Sequence, residues 1–261
     1  MDEKTICDRL IELERDHFSH NRFRGRDGDP NIMEIPGEVP IMVSAPHAVT
    51  HVRDGAPYPS EDCTGPMALV LQELTGCHAM VQARFDGCDP NWDALEDSPY
   101  KQKLLATVRN RGIKLVLDIH GMVGLGKPAV EIGTNYGTTC LAMPEVERLV
   151  YEQLSEGLAE FSERYGAPVV LNGMRAARRA NTVAQTVARE CPDVAAVQIE
   201  LSTRFRVPSR VATYIPRGEQ LKTFGDAEKA SEGEVRRDLN PAAVAATVRA
   251  LAQIIEKAAE L

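Results

Sequence analysis

Short apolar runs alternate with longer stretches of helical periodicity along almost all of this 261-residue chain, and that alternation limits its fold more than any other feature. VPIMVSAPH, HAMVQARF, KLVLDIH, AVEIGT, PVVLN and AAVQIEL read as buried strands. Helical patterns lie between them. Met67, Val70, Leu71 and Leu74 share a face after Ser60 and stop at Gly76. Glu61 is expected to open that helix. Residues 99–111 and 181–190 read as helices too. Val146, Leu149, Val150, Leu154, Leu158 and Phe161 form one stripe that ends at Gly166. A leading helix carries Ile6, Leu10, Leu13 and His17. Asn240 and Pro241 supply an N-cap and a first-turn proline for a last helix running almost to Leu261. Strands that alternate with helices imply a mostly parallel sheet covered on both faces. The expectation is an α/β chain, a three-layer αβα sandwich with a mixed, mostly parallel sheet, forming a single domain over 1–261. There is no internal repeat, and the polar segment Gly218–Arg237 reads as a surface excursion.

Composition narrows the partners. The net charge is -8, whereas nucleic-acid and anionic-membrane binders carry a basic excess. Neither partner is expected. A locally basic pocket would still accept an acidic substrate. No apolar run approaches the roughly 18 residues that cross a bilayer. The N-terminal MDEKTICDRLIELERD lacks the apolar stretch of a signal peptide. Cysteines 7, 63, 77, 88, 140 and 191 form no C-x-x-C pair, so they read as free thiols in a reducing, cytoplasmic setting.

The stretch VLDIHGMVGLGKP supports two readings. From Gly121 it runs G-x-x-x-x-G-K, close to a phosphate-binding loop. Such a loop needs a hydroxyl residue after the lysine and a helix beyond it. Pro128 follows Lys127, and AVEIGT then reads as a strand. A nucleotide-binding module is therefore disfavoured. Gly121, Gly124 and Gly126 read instead as a rim beside a pocket, with Lys127 a further substrate contact.

From Asp118 the same stretch ends a strand by delivering His120. His47 also lies just past a strand. Ligands of open α/β sheets gather beyond the carboxyl ends of the strands, so two histidines from different strands can share one metal ion there. A catalytic zinc takes three protein ligands and keeps one position open. Glu61 is the candidate third ligand, and His51 is the nearest rival. His17, His20 and His78 read as structural. Glu200 lies inside an apolar run, where a charge is costly unless paired or functional. It is the candidate general base; its alternative is an ion pair with Arg204 or Arg206. Asp118 reads as a supporting residue with no catalytic part.

The ordered set SAPHAVTHVRDG…SEDCTG, DPNWD, DIHGM, EIGTNYG and VQIELSTRFR resembles the N-formylglutamate amidohydrolase family, relatives of the zinc carboxypeptidases. The resemblance spans roughly Val39 to Arg206. It implies a phosphorylase/hydrolase-like fold of the zinc carboxypeptidase kind and one zinc ion. It also implies hydrolysis of a non-peptide amide bond in an N-acyl amino acid or acidic peptide. On it, His47, Glu61 and His120 match the metal ligands, Glu200 the catalytic carboxylate and Asn91 a substrate contact. The arginine that often follows that asparagine is Trp92 here. Another arginine must then hold a substrate carboxylate, and Arg84, Arg175, Arg178 and Arg204 are the candidates. Two other readings stand beside this one: a zinc peptidase or γ-glutamyl hydrolase using the same site, and a non-catalytic metal- or ligand-binding protein.

Overall fold

The computed structural model describes residues 1–122, 128–208 and 239–261. In chain order the elements begin with α1 (Glu3–Leu13), which runs into a π-helical turn (Glu14–Phe18) and the single turn α2 (His20–Phe23). Then come β1 (Ile32–Ile35), β2 (Val39–Ala45), the hairpin β3 (His51–Arg53) and β4 (Ala56–Tyr58), α3 (Thr64–Thr75) and β5 (Cys77–Gln82). The middle of the chain forms α4 (Pro99–Arg111), β6 (Leu115–Met122), β7 (Val130–Gly133), α5 (Glu145–Gly157), α6 (Ala159–Tyr165) and β8 (Val169–Leu171). The last elements are α7 (Val183–Glu190), β9 (Ala195–Ser202), the one-turn α8 (Thr203–Arg206) and α9 (Pro241–Ala258).

Seven strands form one sheet in the order β1-β5-β2-β6-β9-β7-β8. The pairs β2–β5, β2–β6, β6–β9 and β7–β8 are parallel, while β1–β5 and β7–β9 are antiparallel. The expected mixed, mostly parallel sheet is therefore present. The central strands are buried throughout, and their sequences are near-continuous apolar runs as two-sided burial requires. On one face the core gathers residues of α1, α3, α5 and α9. On the other it gathers those of α4 and α7. That makes the three layers.

The helix ends follow local chemistry. Ser98 accepts from Lys101 N with Pro99 at the first helical position, and Gly112 closes α4 at φ 62°. Asn240 accepts from Ala242 N and Ala243 N, as its place before Pro241 predicts. The stripe over 146–161 is broken at Leu158 into α5 and α6, with Gly166 as left-handed cap. Glu61 does not open α3. The helix starts at Thr64, behind Cys63, and Glu61 sits in the preceding turn. The strand β7 that follows Pro128 leaves no helix for a phosphate loop to point at. Gly124, Gly126, Lys127 and the polar segment 218–237 lie outside the described residues. All six cysteines are free, as expected. Among the described residues no helix is long and apolar enough to cross a membrane.

Candidate metal centre

The parallel strands β2, β6 and β9 run side by side and end together. β2 delivers His47 two residues beyond Ala45, β6 carries His120, and Glu200 is the register partner of His120 on β9. The β3–β4 hairpin then returns the chain so that Glu61 N donates to His47 O at 2.8 Å. Thr64 Oγ1 donates to Glu61 O at 2.7 Å, which pins the turn from its other side.

The carboxylate of Glu61 stands between the two imidazoles. Its Oε1 is 3.0 Å from His47 Nδ1 and its Oε2 is 3.0 Å from His120 Nδ1. Gly121 N also donates to Oε2 at 2.9 Å. The opposite ring nitrogens face aspartates, with His47 Nε2 2.8 Å from Asp89 Oδ1 and His120 Nε2 2.9 Å from Asp118 Oδ2. Asp118 in turn accepts from Ser44 Oγ at 2.7 Å, and that hydroxyl lies 2.9 Å from the Tyr100 hydroxyl. Asp89 accepts from Arg53 Nε at 2.7 Å.

Once Nε2 of each ring donates to an aspartate, Nδ1 reaches Glu61 only when it carries a second proton or shares a cation with it. Without a cation the electrostatics favour the protons. Burial opposes a charged His47, but Glu61 and Asp89 outweigh it and lift the group to about 9. His120 is likewise raised, against burial, by Asp118 and Glu61. Glu61 and Asp89 are lowered, despite burial, by these histidines. Both shifts have one cause: each ring lies between two carboxylates, a setting that favours positive charge between them. The donor set fits such an ion: two imidazole nitrogens and a carboxylate oxygen lie within 4.8 Å of one another. Each histidine is backed by a carboxylate through its other nitrogen, the arrangement that orients a metal-ligating imidazole.

His47, His51 and Asp89 form a second group of the same size. His51 stacks on His47, ring centres 3.9 Å apart and planes 7° from parallel. Burial, followed by the charge of His47, lowers it to about 3, so it is neutral. The Arg53 guanidinium on Asp89 opposes a cation in this second group. The His47–Glu61–His120 group is the better cation site.

Glu200 is buried beside it. Burial raises its carboxyl to about 7, tempered by the charge of His120 and reinforced by that of Glu61. Gln198 Nε2 donates to Glu200 Oε1 at 3.1 Å. Arg175, half-exposed, reaches over the antiparallel pair β7–β9. Its Nε is 3.9 Å from Glu200 Oε2, and its Nη1 is 3.3 Å from Glu131 Oε2. Glu131 is the register partner of Glu200 and also accepts from Arg175 N.

The other expected substrate contacts divide. Asn91 is at the site: its Nδ2 lies 2.9 Å from His120 Nε2, while its Oδ1 accepts from Val183 N at 2.8 Å. Arg84 donates to Asn31 Oδ1 at 2.8 Å. Arg204 is buried, with its guanidinium 3.9 Å above the Tyr165 ring. Arg178 is exposed. Of the four arginines, Arg175 has its guanidinium 3.9 Å from Glu200. Trp92 is flanked by Arg53 and Arg179, whose guanidinium carbons lie 5.0 and 4.4 Å from its ring centre. Cations thus gather on Trp92 from two other segments. Asp89, Glu131 and Arg53 were not singled out in the sequence. For Glu131 the signal existed, a lone glutamate in an apolar strand, the pattern that marked Glu200. For Asp89 it lay only in DPNWD.

No family model matches the chain, and no curated protein matches it. Solved structures do. A bacteriophage poly-gamma-glutamate hydrolase is similar at 17% identity over 85% of this chain and 88% of its own, with a TM-score of 0.46. An N-formylglutamate amidohydrolase from Ralstonia eutropha JMP134 is similar at 16% identity over 87% and 99%, TM-score 0.46. A metallo-carboxypeptidase from Pseudomonas aeruginosa is similar at 15% identity over 95% and 68%, TM-score 0.42. All three are hydrolases by name, and the second is of the family that the motifs resemble.

Proposed function

We propose that this protein is a metal-dependent hydrolase of amide bonds, with one zinc ion, that acts on an N-acyl amino acid or a related small carboxylate. The observation that carries this is the arrangement of His47, Glu61 and His120, in which two Nδ1 atoms converge on one carboxylate and both Nε2 atoms are turned onto aspartates. A zinc ion held by these three residues would polarise a substrate carbonyl and acidify water. Glu200 does the proton work. Burial raises its carboxyl, so that it can accept a proton from the attacking water and return it to the departing amine. Asp89 and Asp118 keep the two rings in the tautomer that leaves Nδ1 for the cation. Arg175, next to Glu200, is placed to meet a substrate carboxylate with its planar fork. The amide bond and the small acidic substrate rest on the motif resemblance and on this arginine.

The test is the metal content of the purified protein after reconstitution, for wild type, His47→Ala and His120→Ala, with hydrolysis of a panel of N-acyl amino acids. One zinc per wild-type chain, lost in both variants, with release of free amine, is expected. Wild type without zinc, or variants that keep it, overturns the metal site. A zinc-loaded protein inert on the whole panel overturns the hydrolase and leaves a metal-binding protein.

A further inference from the structure

Arg206 sits on α8, and its side chain is buried behind the site, only 5% exposed. Its Nε donates to Leu201 O at 3.3 Å, and Nη1 donates to Asp62 O. Its guanidinium fills the space that a side chain at position 121 would need: a Cβ on Gly121 would stand 2.6 Å from Arg206 Nε and 2.7 Å from its Cζ. Each of these three anchor points is the next residue after a member of the site. Leu201 follows Glu200, Asp62 follows Glu61, and Gly121 follows His120. One planar cation therefore donates to the backbone of β9 and of the turn before α3 and fills the side-chain space over Gly121 on β6, each one residue from a functional side chain. The turn is held from below as well. Glu14, in the π-helical turn and fully buried, accepts from Cys63 N at 3.2 Å, and Cys63 has a left-handed φ of 64°. Burial raises the carboxyls of Asp62 and Glu14, and the Arg206 cation opposes that rise in both.

We propose that Arg206 is a positioning residue that sets the mutual geometry of Glu61, His120 and Glu200 by clamping the three backbone segments that carry them. The proposal rests on the metal-hydrolase reading above. A guanidinium suits the task because its fork donates in two directions from one plane, whereas a lysine ammonium is a single point on a flexible stem. It also gives a reason for glycine at position 121 that does not involve φ: any side chain there displaces the clamp.

The test is a double-substitution cycle on the full chain, wild type, Arg206→Lys, Gly121→Ala and the pair together. Zinc affinity is read by competition with a chromophoric chelator, and hydrolysis is read where it is found. Loss of a group that orients metal ligands costs about 10–100-fold in metal affinity, and that is the expected loss for each single variant. The pair should be no worse than Arg206→Lys alone, because the alanine then no longer meets a guanidinium. In the hydrolysis assay kcat should fall with KM retained. Arg206→Lys that folds and binds zinc like wild type overturns the proposal, as do losses that simply multiply in the pair. Wild type that binds no zinc overturns the metal reading and this proposal with it, a result distinct from multiplied losses. Should Arg206→Lys show no cooperative thermal transition, Gly121→Ala decides alone: an unchanged zinc affinity overturns the clamp, and a 10-fold or larger loss supports it.

Discussion

His120 leans on Asp118, two residues earlier on the same strand, whereas His47 leans on Asp89, which arrives from the loop between β5 and α4. The two contacts are alike in length and differ in what stands behind them. Asp118 is backed by the hydroxyls of Ser44 and Tyr100, sealed between β2, β6 and α4. Asp89 is backed by the Arg53 cation from the β3–β4 hairpin, and its histidine is stacked on neutral His51. One side is a rigid, neutral wall built into the sheet. The other is a charged wall in which Asp89 comes from a loop and the partly exposed Arg53 from the hairpin. The proposed metal-binding pair thus has one half backed by the sheet, the fixed half, and one backed by a cation from the hairpin, the adaptable half.

The largest effect should come from breaking the fixed half. Asp118→Ala removes an acid from the buried His120 and leaves Ser44 without its acceptor. A loss of about 3–5 kcal/mol in urea unfolding is expected, together with loss of zinc binding. Asp89→Ala should cost clearly less stability, because Arg53 is partly exposed and can be hydrated. If the two substitutions cost the same, the contrast between the halves is wrong.

Glu200 belongs to the fixed side as the register partner of His120. Glu200→Gln should lower turnover by about 10²–10⁴-fold with zinc retained. In the zinc-loaded protein a divalent cation beside Glu200 draws its titration below the metal-free value of about 7, so log activity should rise with unit slope at acid pH and flatten before pH 7. The sign for stability is opposite. The folded state holds this proton more tightly than the unfolded chain, where the group titrates at its ordinary 4.5, so its contribution is full below 4.5 and is lost as pH rises through about 7. Urea unfolding of metal-stripped wild type and Glu200→Gln across that window should differ by this falling component. A flat difference would place Glu200 in a water-like setting.

On the adaptable side, Asp89→Asn should weaken zinc binding by about 10-fold, the low end for a ligand-orienting group, since an amide oxygen still accepts from His47. The smallest effect is expected of His51→Phe, which keeps the stack on His47 and removes no charge at neutral pH. Zinc stoichiometry should not change. Loss of the ion from this variant would move the metal to the His47–His51–Asp89 group.

Much of this architecture is local, and local patterns expose it. The bounds of α4 and the start of α9 follow from Ser98–Pro99, Gly112 and Asn240–Pro241, because caps are short-range hydrogen bonds. Asp118 and His120 share a strand, so DIHG shows them together. β1 escaped because IMEI is a half-buried edge strand with no alternation, paired antiparallel to β5. The turn holding Glu61 resembled a helix start because the apolar stripe of α3 follows directly, and the left-handed Cys63 that delays the helix is held there by Glu14, 49 residues away.

By itself the sequence determined the layering, because apolar periodicity is a property of neighbours in the chain. It also determined that histidines and carboxylates would stand at the ends of buried strands. The tertiary structure alone decided which nitrogen of each ring faces Glu61, and that Asp89 and not His51 completes the support of His47. Those outcomes depend on distances between segments 14 to 59 residues apart, which the parallel register of β2, β6 and β9 sets and no local pattern encodes.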